Sequence, residues 1–513
     1  MARSLHSKLF LSHRTFFNSR HPCYAIGVRL FSQKPALRTN LDKIYPQSKT
    51  LRDRELIFKI LNTYPSQREA KQFLKQFAPE NTTDLTGKER TEWILSPTFN
   101  RVCVIKVIGP FSLREIEGIA ATMTQLKKLG MMPIIVVEDL RTSQIGGDEG
   151  RGRQLIRDAF EFAEVIEKIG GRARPVSGVF TLKDTGADTR PEIASVLEPI
   201  QSAFQLGQIP VVVPIGFSSA STQVPFTGDD AVASLVEGLS QAESASGGSM
   251  CSPHLQPSKV IIVNREGGPR DAKGAVRQLV NLEDEYDEVV HSSAVSSGTR
   301  DEISLLRKCL AGLPLTSSGI IVPAHATSTA LIANLITDKP DRQKSAATVF
   351  RHGWRVREYR SAEEISRPDL TQLLEASFGR TLNSNRFYER LEKKLLSVII
   401  AGDYYGAVVV TSEPLNPAHA GTQSVSYMDK FAIDPKMQGV GLTDLLWKRT
   451  REAYPDLMWR SRATNGINKW YFERADGYYR VPDTQWVMFW YGKGVDKLGQ
   501  YSEIVRRIPP SFE

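Results

Sequence analysis

The segment FAIDPKMQGVGLT, residues 431–443, joins a predicted strand to a predicted helix and decides the fold of the C-terminal third of the chain. Gly439 and Gly441 let the backbone of this turn approach a ligand without a Cβ in the way. The first N–H groups of the following helix lack intrahelical partners, and with the helix dipole they favour an anion such as a diphosphate. An ordinary glycine-rich connection is the alternative, because such a turn alone is weak evidence.

Strands and helices are predicted on both sides of this turn. The predicted strands cover 354–359, 397–401, 405–411, 424–433, 457–462 and 485–490, and the predicted helices cover 367–377, 385–395, 439–453 and 467–474. A polar segment at 339–344 precedes them and is the predicted boundary between two domains.

The preceding region has short apolar segments that alternate with helical patterns. Strands are predicted at 102–108, 134–137, 179–182, 209–215 and 260–263, and helices within 51–78, up to about 129, at 154–169, 193–206 and 231–239, from Gly274, and at 327–337. This alternation predicts an α/β fold with a doubly wound, mainly parallel sheet.

The charge of the 513-residue chain is concentrated at its start. Residues 1–40 contain seven basic residues and no acidic one, whereas the rest holds 59 basic and 57 acidic residues. This composition predicts a mitochondrial transit peptide at 1–40, with a disordered basic tail as the alternative. The nearly neutral remainder gives no reason to expect nucleic-acid binding. No apolar run is long enough to predict a membrane span. The spacing of the four cysteines indicates neither a zinc site nor a disulfide framework.

The turn Gln438-Gly439-Val440-Gly441 resembles the acetyl-CoA signature of the GNAT acetyltransferases, with Thr443 in place of the usual final Gly or Ala. The segments YMDKF at 427–431, WRSR at 459–462 and NGINKWYF at 465–472 extend this likeness. Together they resemble the acetyltransferase domain of mitochondrial N-acetylglutamate synthases, most closely over 350–510. The resemblance implies a GNAT-like α/β domain at 345–513 that transfers the acetyl group of acetyl-CoA to L-glutamate, without a metal, for arginine biosynthesis.

The resemblance also implies roles for individual residues. The expected acetyl-CoA-binding residues are Ala432, Ile433, Gln438, Gly439, Val440, Gly441, Leu442 and Thr443. The expected glutamate-binding residues are Arg380, Lys430, Phe431, Arg460, Ser461 and Arg462. For catalysis it implies Tyr471 as the acid toward the CoA sulfur, Asn465 as an orienting donor and Tyr427 as a group that helps to deprotonate the amine.

For two arginines and one tyrosine of these sets, the local sequence itself bears on the role. Arg460 and Arg462 lie two apart on a predicted strand, so they share a face and suit a dicarboxylate. A solvated surface cation is the alternative for either residue alone. Tyr471 lies between Trp470 and Phe472, so a packed aromatic helix face is the alternative to a catalytic role.

The region at 41–340 resembles the amino-acid kinases, including N-acetylglutamate kinase, at Lys106-Val107-Ile108-Gly109 and at Gly228-Asp229-Asp230-Ala231. Pro110 stands where those kinases have a second glycine, and it has no N–H for a phosphate. Glu138 lies in the segment that replaces their next glycine-rich loop. A kinase-like fold without kinase activity is therefore expected. The resemblance implies feedback inhibition by L-arginine bound in this domain, with 317–329 as a candidate part of its site.

The resemblance further implies a location in the mitochondrial matrix, a homo-oligomer and association with N-acetylglutamate kinase. Two alternatives remain open at this point. One is an acetyltransferase that acts on a different amine, and the other is a non-catalytic regulatory subunit that scaffolds N-acetylglutamate kinase.

Overall fold

A computed structural model describes residues 101–128, 130–183, 192–218, 222–245, 255–326, 347–415, 423–438, 440–493 and 497–512. The predicted leader, the helices predicted within 51–78 and at 327–337, and Gly439 lie outside these ranges. Within them, no helix has the length and apolarity to cross a bilayer.

The first part of the described chain forms two sheets flanked by helices. Its strands are β1 (Arg101–Gly109), β2 (Met131–Asp139), β3 (Ala173–Val176), β4 (Phe180–Lys183), β5 (Glu192–Ser195), β6 (Ile209–Val212), β7 (Ile215–Phe217), β8 (Gln223–Pro225), β9 (Pro257–Asn264), β10 (Leu279–Asn281), β11 (Ser318–Pro323) and β12 (Thr348–Arg351). Its helices are α1 (Leu113–Lys128), α2 (Asp148–Lys168), α3 (Glu198–Gln205), α4 (Gly228–Ala245), α5 (Tyr286–Val290) and α6 (Ser297–Ala311).

Eight of these strands form one sheet in the order β10-β12-β11-β9-β1-β2-β6-β3. All neighbouring pairs in it are parallel except β11 with β12. The central strands β1 and β9 are buried on both faces, as parallel strands between helical layers must be. The smaller sheet has the order β5-β4-β7-β8. The predicted α/β fold is confirmed.

Two local predictions are wrong. The helix expected from Gly274 is a turn, because Gly274 has φ of +80° between the bridged residues Arg270 and Val276. The helix expected at 193–206 begins only at Glu198, after the strand β5. The boundary predicted at 339–344 lies outside the described residues, and β12, which follows it, pairs with β10 and β11 of the first sheet.

The second part of the chain forms a seven-stranded sheet. Its strands are β13 (Val356–Tyr359), β14 (Leu395–Ala401), β15 (Gly406–Pro414), β16 (Ser424–Ile433), β17 (Leu457–Arg462), β18 (Gly477–Arg480) and β19 (Trp486–Tyr491). Its helices are α7 (Arg367–Phe378), α8 (Ser384–Lys394), α9 (Leu442–Ala453), α10 (Asn468–Arg474) and α11 (Leu498–Arg507). The strand order is β13-β14-β15-β16-β17-β19-β18, and only β16 and β17 pair in parallel.

Candidate active site

The sheet of the second part opens between β16 and β17. These strands pair only through Tyr427 with Met458 and through Met428 with Trp459. Beyond that point Asp429 forms a bulge, because Met428 and Lys430 face the consecutive residues 410 and 409 of β15. Since both strands are parallel, their carboxyl ends meet at the open end. Lys430 and Phe431 of β16 and Arg460, Ser461 and Arg462 of β17 therefore lie on the segments where the two strands separate.

The described residues of the glycine turn, Gln438, Val440 and Gly441, lie between the end of β16 and the start of α9. Gly441 has φ of +87°, a left-handed conformation that favours glycine. The first hydrogen bond of the helix runs from the N–H of Leu445 to the carbonyl of Gly441, so the N–H groups of residues 442–444 precede it. Buried Leu442 and Leu446 anchor the helix to the sheet. The turn therefore has the backbone geometry of an anion site.

The other expected acetyl-CoA-binding residues lie around this turn. Ala432 is buried at the end of β16, and the N–H of Ile433 donates to Oγ of Ser377 on α7 at 3.2 Å. Gln438 is exposed, while Val440 and Thr443 are half-buried. Ser377 had no signal in the sequence, because its role depends on where α7 packs.

A buried charged network lies next to the bulge. Lys430 forms an ion pair with Asp429, donates to Oγ of Ser511 at 3.1 Å and lies 5.4 Å from the ring centre of Phe387. Burial lowers the pKa of Lys430. Arg390 on α8 lies 2.9 Å from Oδ2 of Asp429. Despite burial, Lys430 and Arg390 hold the pKa of Asp429 below its usual value.

Arg460 and Arg462 share one face of β17, and both guanidinium groups lie over the ring of Trp486, at 4.1 and 5.9 Å from its centre. Arg460 also donates to the backbone carbonyls of Val505 and Pro509 at the end of α11. Arg460 thus has a structural role that the sequence did not indicate. Trp486 lies on β19 and pairs with Arg462 of the neighbouring strand β17. The alternation of side chains along predicted strands could have suggested that it faces the arginines.

Ser461 lies on the opposite face of β17 and is buried. Its Oγ accepts a hydrogen bond of 3.0 Å from the exposed Asn465. Asn468, which sequence reasoning missed, donates to the carbonyls of Arg462 and Ala463 and fixes the loop after β17. Its buried Oδ1 has no hydrogen-bond partner among the described residues.

The two candidate catalytic tyrosines are buried in different core clusters of the second part. Tyr427 belongs to β16, and Tyr471 belongs to α10, where it packs 5.4 Å from the rings of Trp459 and Phe489. Burial raises the pKa of both phenols. Both are therefore neutral hydroxyl groups at physiological pH. The packed aromatic surroundings of Tyr471 fit the structural alternative as well as the catalytic one.

Two further expected glutamate-binding residues, Arg380 and Phe431, have different surroundings. Arg380 is exposed just after α7, where Phe378 packs against Phe512 at 4.7 Å. Phe512 in turn lies 5.6 Å from the ammonium of Lys430. Phe431 packs on Trp470 at 5.6 Å and on Trp447 at 6.4 Å. Phe431 is thus half-buried in the apolar wall.

A second charged cluster lies at the carboxyl edge of the first sheet. The ammonium of Lys106 lies 2.8 Å from Glu138 and 2.7 Å from Asp229. Burial disfavours the charge, but these carboxylates raise the pKa of Lys106 above its usual value. Glu138 also accepts from the N–H of Gly228 at the start of α4, at 3.0 Å. A carboxylate therefore occupies the helix terminus that a phosphate would need.

Residues 357–511 match the family model described as NAT, N-acetyltransferase, of N-acetylglutamate synthase. The mitochondrial amino-acid acetyltransferase of Laccaria bicolor is 33% identical over 528 residues, which cover 85% of this chain and 91% of that protein. This chain belongs to the family of mitochondrial amino-acid acetyltransferases. The predicted enzyme class, acyltransferase, and the predicted mitochondrial location are confirmed.

Similarity to two further proteins covers more of this chain than its acetyltransferase domain. The acetylglutamate kinase of Xanthomonas campestris is 29% identical over 418 residues, which cover 76% of this chain and 90% of that protein. The structure of N-acetylglutamate synthase from Neisseria gonorrhoeae, complexed with coenzyme A and N-acetyl-glutamate, matches with a TM-score of 0.51. It covers 83% of this chain and 98% of that one at 14% identity, which supports the two-part fold.

Proposed function

We propose that this acetyltransferase transfers the acetyl group of acetyl-CoA to the amino group of L-glutamate, which gives N-acetyl-L-glutamate and coenzyme A. The observation that carries the proposal is the separation of β16 from β17 beyond Met428 and Trp459, with the start of α9 following β16 and with Arg460 and Arg462 on β17. The family model for N-acetylglutamate synthase over the same residues supports it.

The proposed site residues divide between the two substrates. The backbone of 438–443 binds the diphosphate of acetyl-CoA. The C-terminal end of β16, at Ala432 and Ile433, borders the pantetheine arm that carries the thioester. The carboxylates of glutamate are bound by cations, because guanidinium and ammonium groups donate charge-assisted hydrogen bonds to them. The proposed glutamate-binding residues are Arg380, Lys430, Phe431, Arg460, Ser461 and Arg462.

The reaction forms a C–N bond between the glutamate amine and the acetyl carbon, and it breaks the C–S bond of the thioester. The ammonium must first lose a proton, and a neutral Tyr427 can orient a water that accepts it. Tyr471 keeps its hydroxyl proton until the sulfur departs, because burial raises its pKa. It then donates this proton to the thiolate, and the second proton that the attacking nitrogen loses restores the hydroxyl group. Asn465 orients the acceptor through its hydrogen bond to Ser461.

A thiol-release assay with acetyl-CoA and a panel of amines tests this function. We expect glutamate to be the preferred acceptor, and a lysine peptide or glutamine to react far more slowly. Equal rates with glutamate and a lysine peptide would favour the alternative of a different amine. Absence of thiol release with every acceptor would favour a non-catalytic subunit.

We also propose that the kinase-like domain is regulatory and binds L-arginine as an inhibitor, although it lacks kinase activity. The contact of Glu138 with Lys106 and with the start of α4 supports the loss of phosphate binding. Association with N-acetylglutamate kinase and homo-oligomerisation belong to the same proposal. The thiol-release assay with added arginine, and gel filtration with and without the kinase, test them.

A further inference from the structure

We propose that Arg351, on the last strand of the kinase-like sheet, binds the diphosphate of acetyl-CoA and so completes the cofactor site of the acetyltransferase domain. This inference rests on the proposed function, because it assigns a further residue to the same site. It would make the kinase-like domain a part of the acetyl-CoA site.

The guanidinium of Arg351 lies against the glycine turn. A Cβ built on Gly441 would lie 3.3 Å from Nε, 3.6 Å from Cζ and 3.7 Å from Nη2 of Arg351. Nη1 of the same guanidinium donates to the carbonyl of Thr316 at 3.1 Å. This bond holds the side chain in place, and the absent side chain of Gly441 permits the close approach. A fixed cation therefore borders the turn whose N–H groups suit an anion.

The strand next to the one that carries Arg351 is held against α9. Lys448 lies seven residues after Gly441, so both positions fall on one face of the helix. Its ammonium contacts Glu285 and the carbonyl of Leu279 in β10, the strand that pairs with β12. The contact of Arg351 with Gly441 and the contacts of Lys448 lie about two helical turns apart along α9. Together they fix the edge of the kinase-like sheet to this helix.

The chemistry of arginine suits this position. A planar guanidinium gives bidentate hydrogen bonds to phosphate oxygens, and its charge does not depend on pH in the physiological range. Backbone N–H groups and a helix dipole supply only partial positive charge. Arg351 would add a full charge at the place where the diphosphate carries its negative charge.

The test uses the full-length protein with Arg351→Met, which removes the charge, and Arg351→Lys, which keeps it. Arg449→Met on the exposed face of α9 is the matched control. Calorimetry gives the dissociation constant of coenzyme A, and steady-state kinetics gives KM for acetyl-CoA and for S-acetylpantetheine, which has no diphosphate. We expect Arg351→Met to weaken coenzyme A binding about ten-fold, as expected for one lost hydrogen bond to a charged group. Arg351→Lys should recover part of this loss.

With S-acetylpantetheine, Arg351→Met should behave like the wild type. The inference would be overturned if Arg351→Met left coenzyme A binding unchanged, or if it raised KM equally for both donors. Failure of the proposed function would look different. The wild type would then bind coenzyme A and still depend on Arg351, but it would release no thiol with glutamate.

Discussion

The ammonium of Lys448 on α9 lies 2.5 Å from Oε1 of Glu285, which belongs to the kinase-like domain. Both side chains are mostly buried, and Glu285 also accepts from the N–H of Asn281 at 3.0 Å. This ion pair joins the helix behind the acetyl-CoA turn to the edge of the other sheet. The ion pair of Lys448 with Glu285 is therefore a direct contact between the two domains.

Breaking this pair should weaken both stability and acetyl-CoA binding. We expect Lys448→Met and Glu285→Gln each to lower the free energy of unfolding, with a coupling energy of about 1–2 kcal/mol in a double-mutant cycle. KM for acetyl-CoA should rise a few-fold while KM for glutamate stays constant. Urea unfolding and steady-state kinetics measure both effects. Additive effects of the two substitutions would show that the pair does not couple the domains.

Tyr471→Phe tests the catalytic role against the structural one. If the hydroxyl donates to the leaving sulfur, kcat should fall about 100-fold, as expected for loss of a positioned proton donor, while both KM values change little. Tyr478→Phe is the control, because Tyr478 is 51% exposed on β18. A Tyr471→Phe enzyme with normal kcat would leave Tyr471 as a packing residue only.

The two arginines over Trp486 should respond differently to substitution. Arg462→Ala should raise KM for glutamate about ten-fold or more through loss of a charge-assisted bond, with little change in stability. Arg460→Ala should additionally lower the free energy of unfolding by about 1–3 kcal/mol, because the carbonyls of Val505 and Pro509 lose their donor. Thermal melts beside kinetics separate the effects. Equal melting temperatures for both variants would contradict the structural role of Arg460.

Glu302 should make the stability of the kinase-like domain depend on pH. Burial raises its pKa to about 7 from an ordinary value of 4.5, and Asn264 donates to it at 2.8 Å. The folded state thus binds this proton more tightly than the unfolded state. Its contribution is present below pH 4.5 and is lost as pH rises to 7, which amounts to about 3 kcal/mol.

Glu302→Gln should remove this dependence, because glutamine resembles the neutral acid at every pH. Urea unfolding at pH 5 and pH 7.5 measures the change, with the exposed Asp301→Asn on the same helix as the control. We expect the wild type to lose more stability than Glu302→Gln between these two pH values. Parallel pH profiles for the two proteins would contradict the raised pKa.

The sequence predicted β16 and β17 with their observed bounds, because each is a largely buried strand next to an aspartate, Asp434 after β16 and Asp456 before β17. It missed α6, because Ser297-Gly298-Thr299 at its start is typical of a loop, although the cap is local: Oγ of Ser296 accepts from the N–H of Thr299. It also missed α11, which is short. The pairing of β12 with the first sheet depends on contacts across the chain, which local patterns do not contain.

The candidate site was predictable where one strand or one turn carries it. The turn at 438–441 and the two arginines of β17 have local signals in glycine content and alternation. Asp429 acquires its role from a bulge, and Arg390 and Ser377 from the packing of helices on the sheet. Arg351 lies some ninety residues before the turn and in a different sheet, so only the folded chain brings it there.

The seven-residue interval from Gly441 to Lys448 has a consequence for how this helix can vary in length. Each residue turns an α-helix by about 100°, so one inserted residue in this interval would swing Lys448 away from Glu285. The same insertion after Lys448 would leave both anchor points in register. We therefore expect relatives to keep the residue count between these two positions fixed and to vary more freely toward the end of the helix.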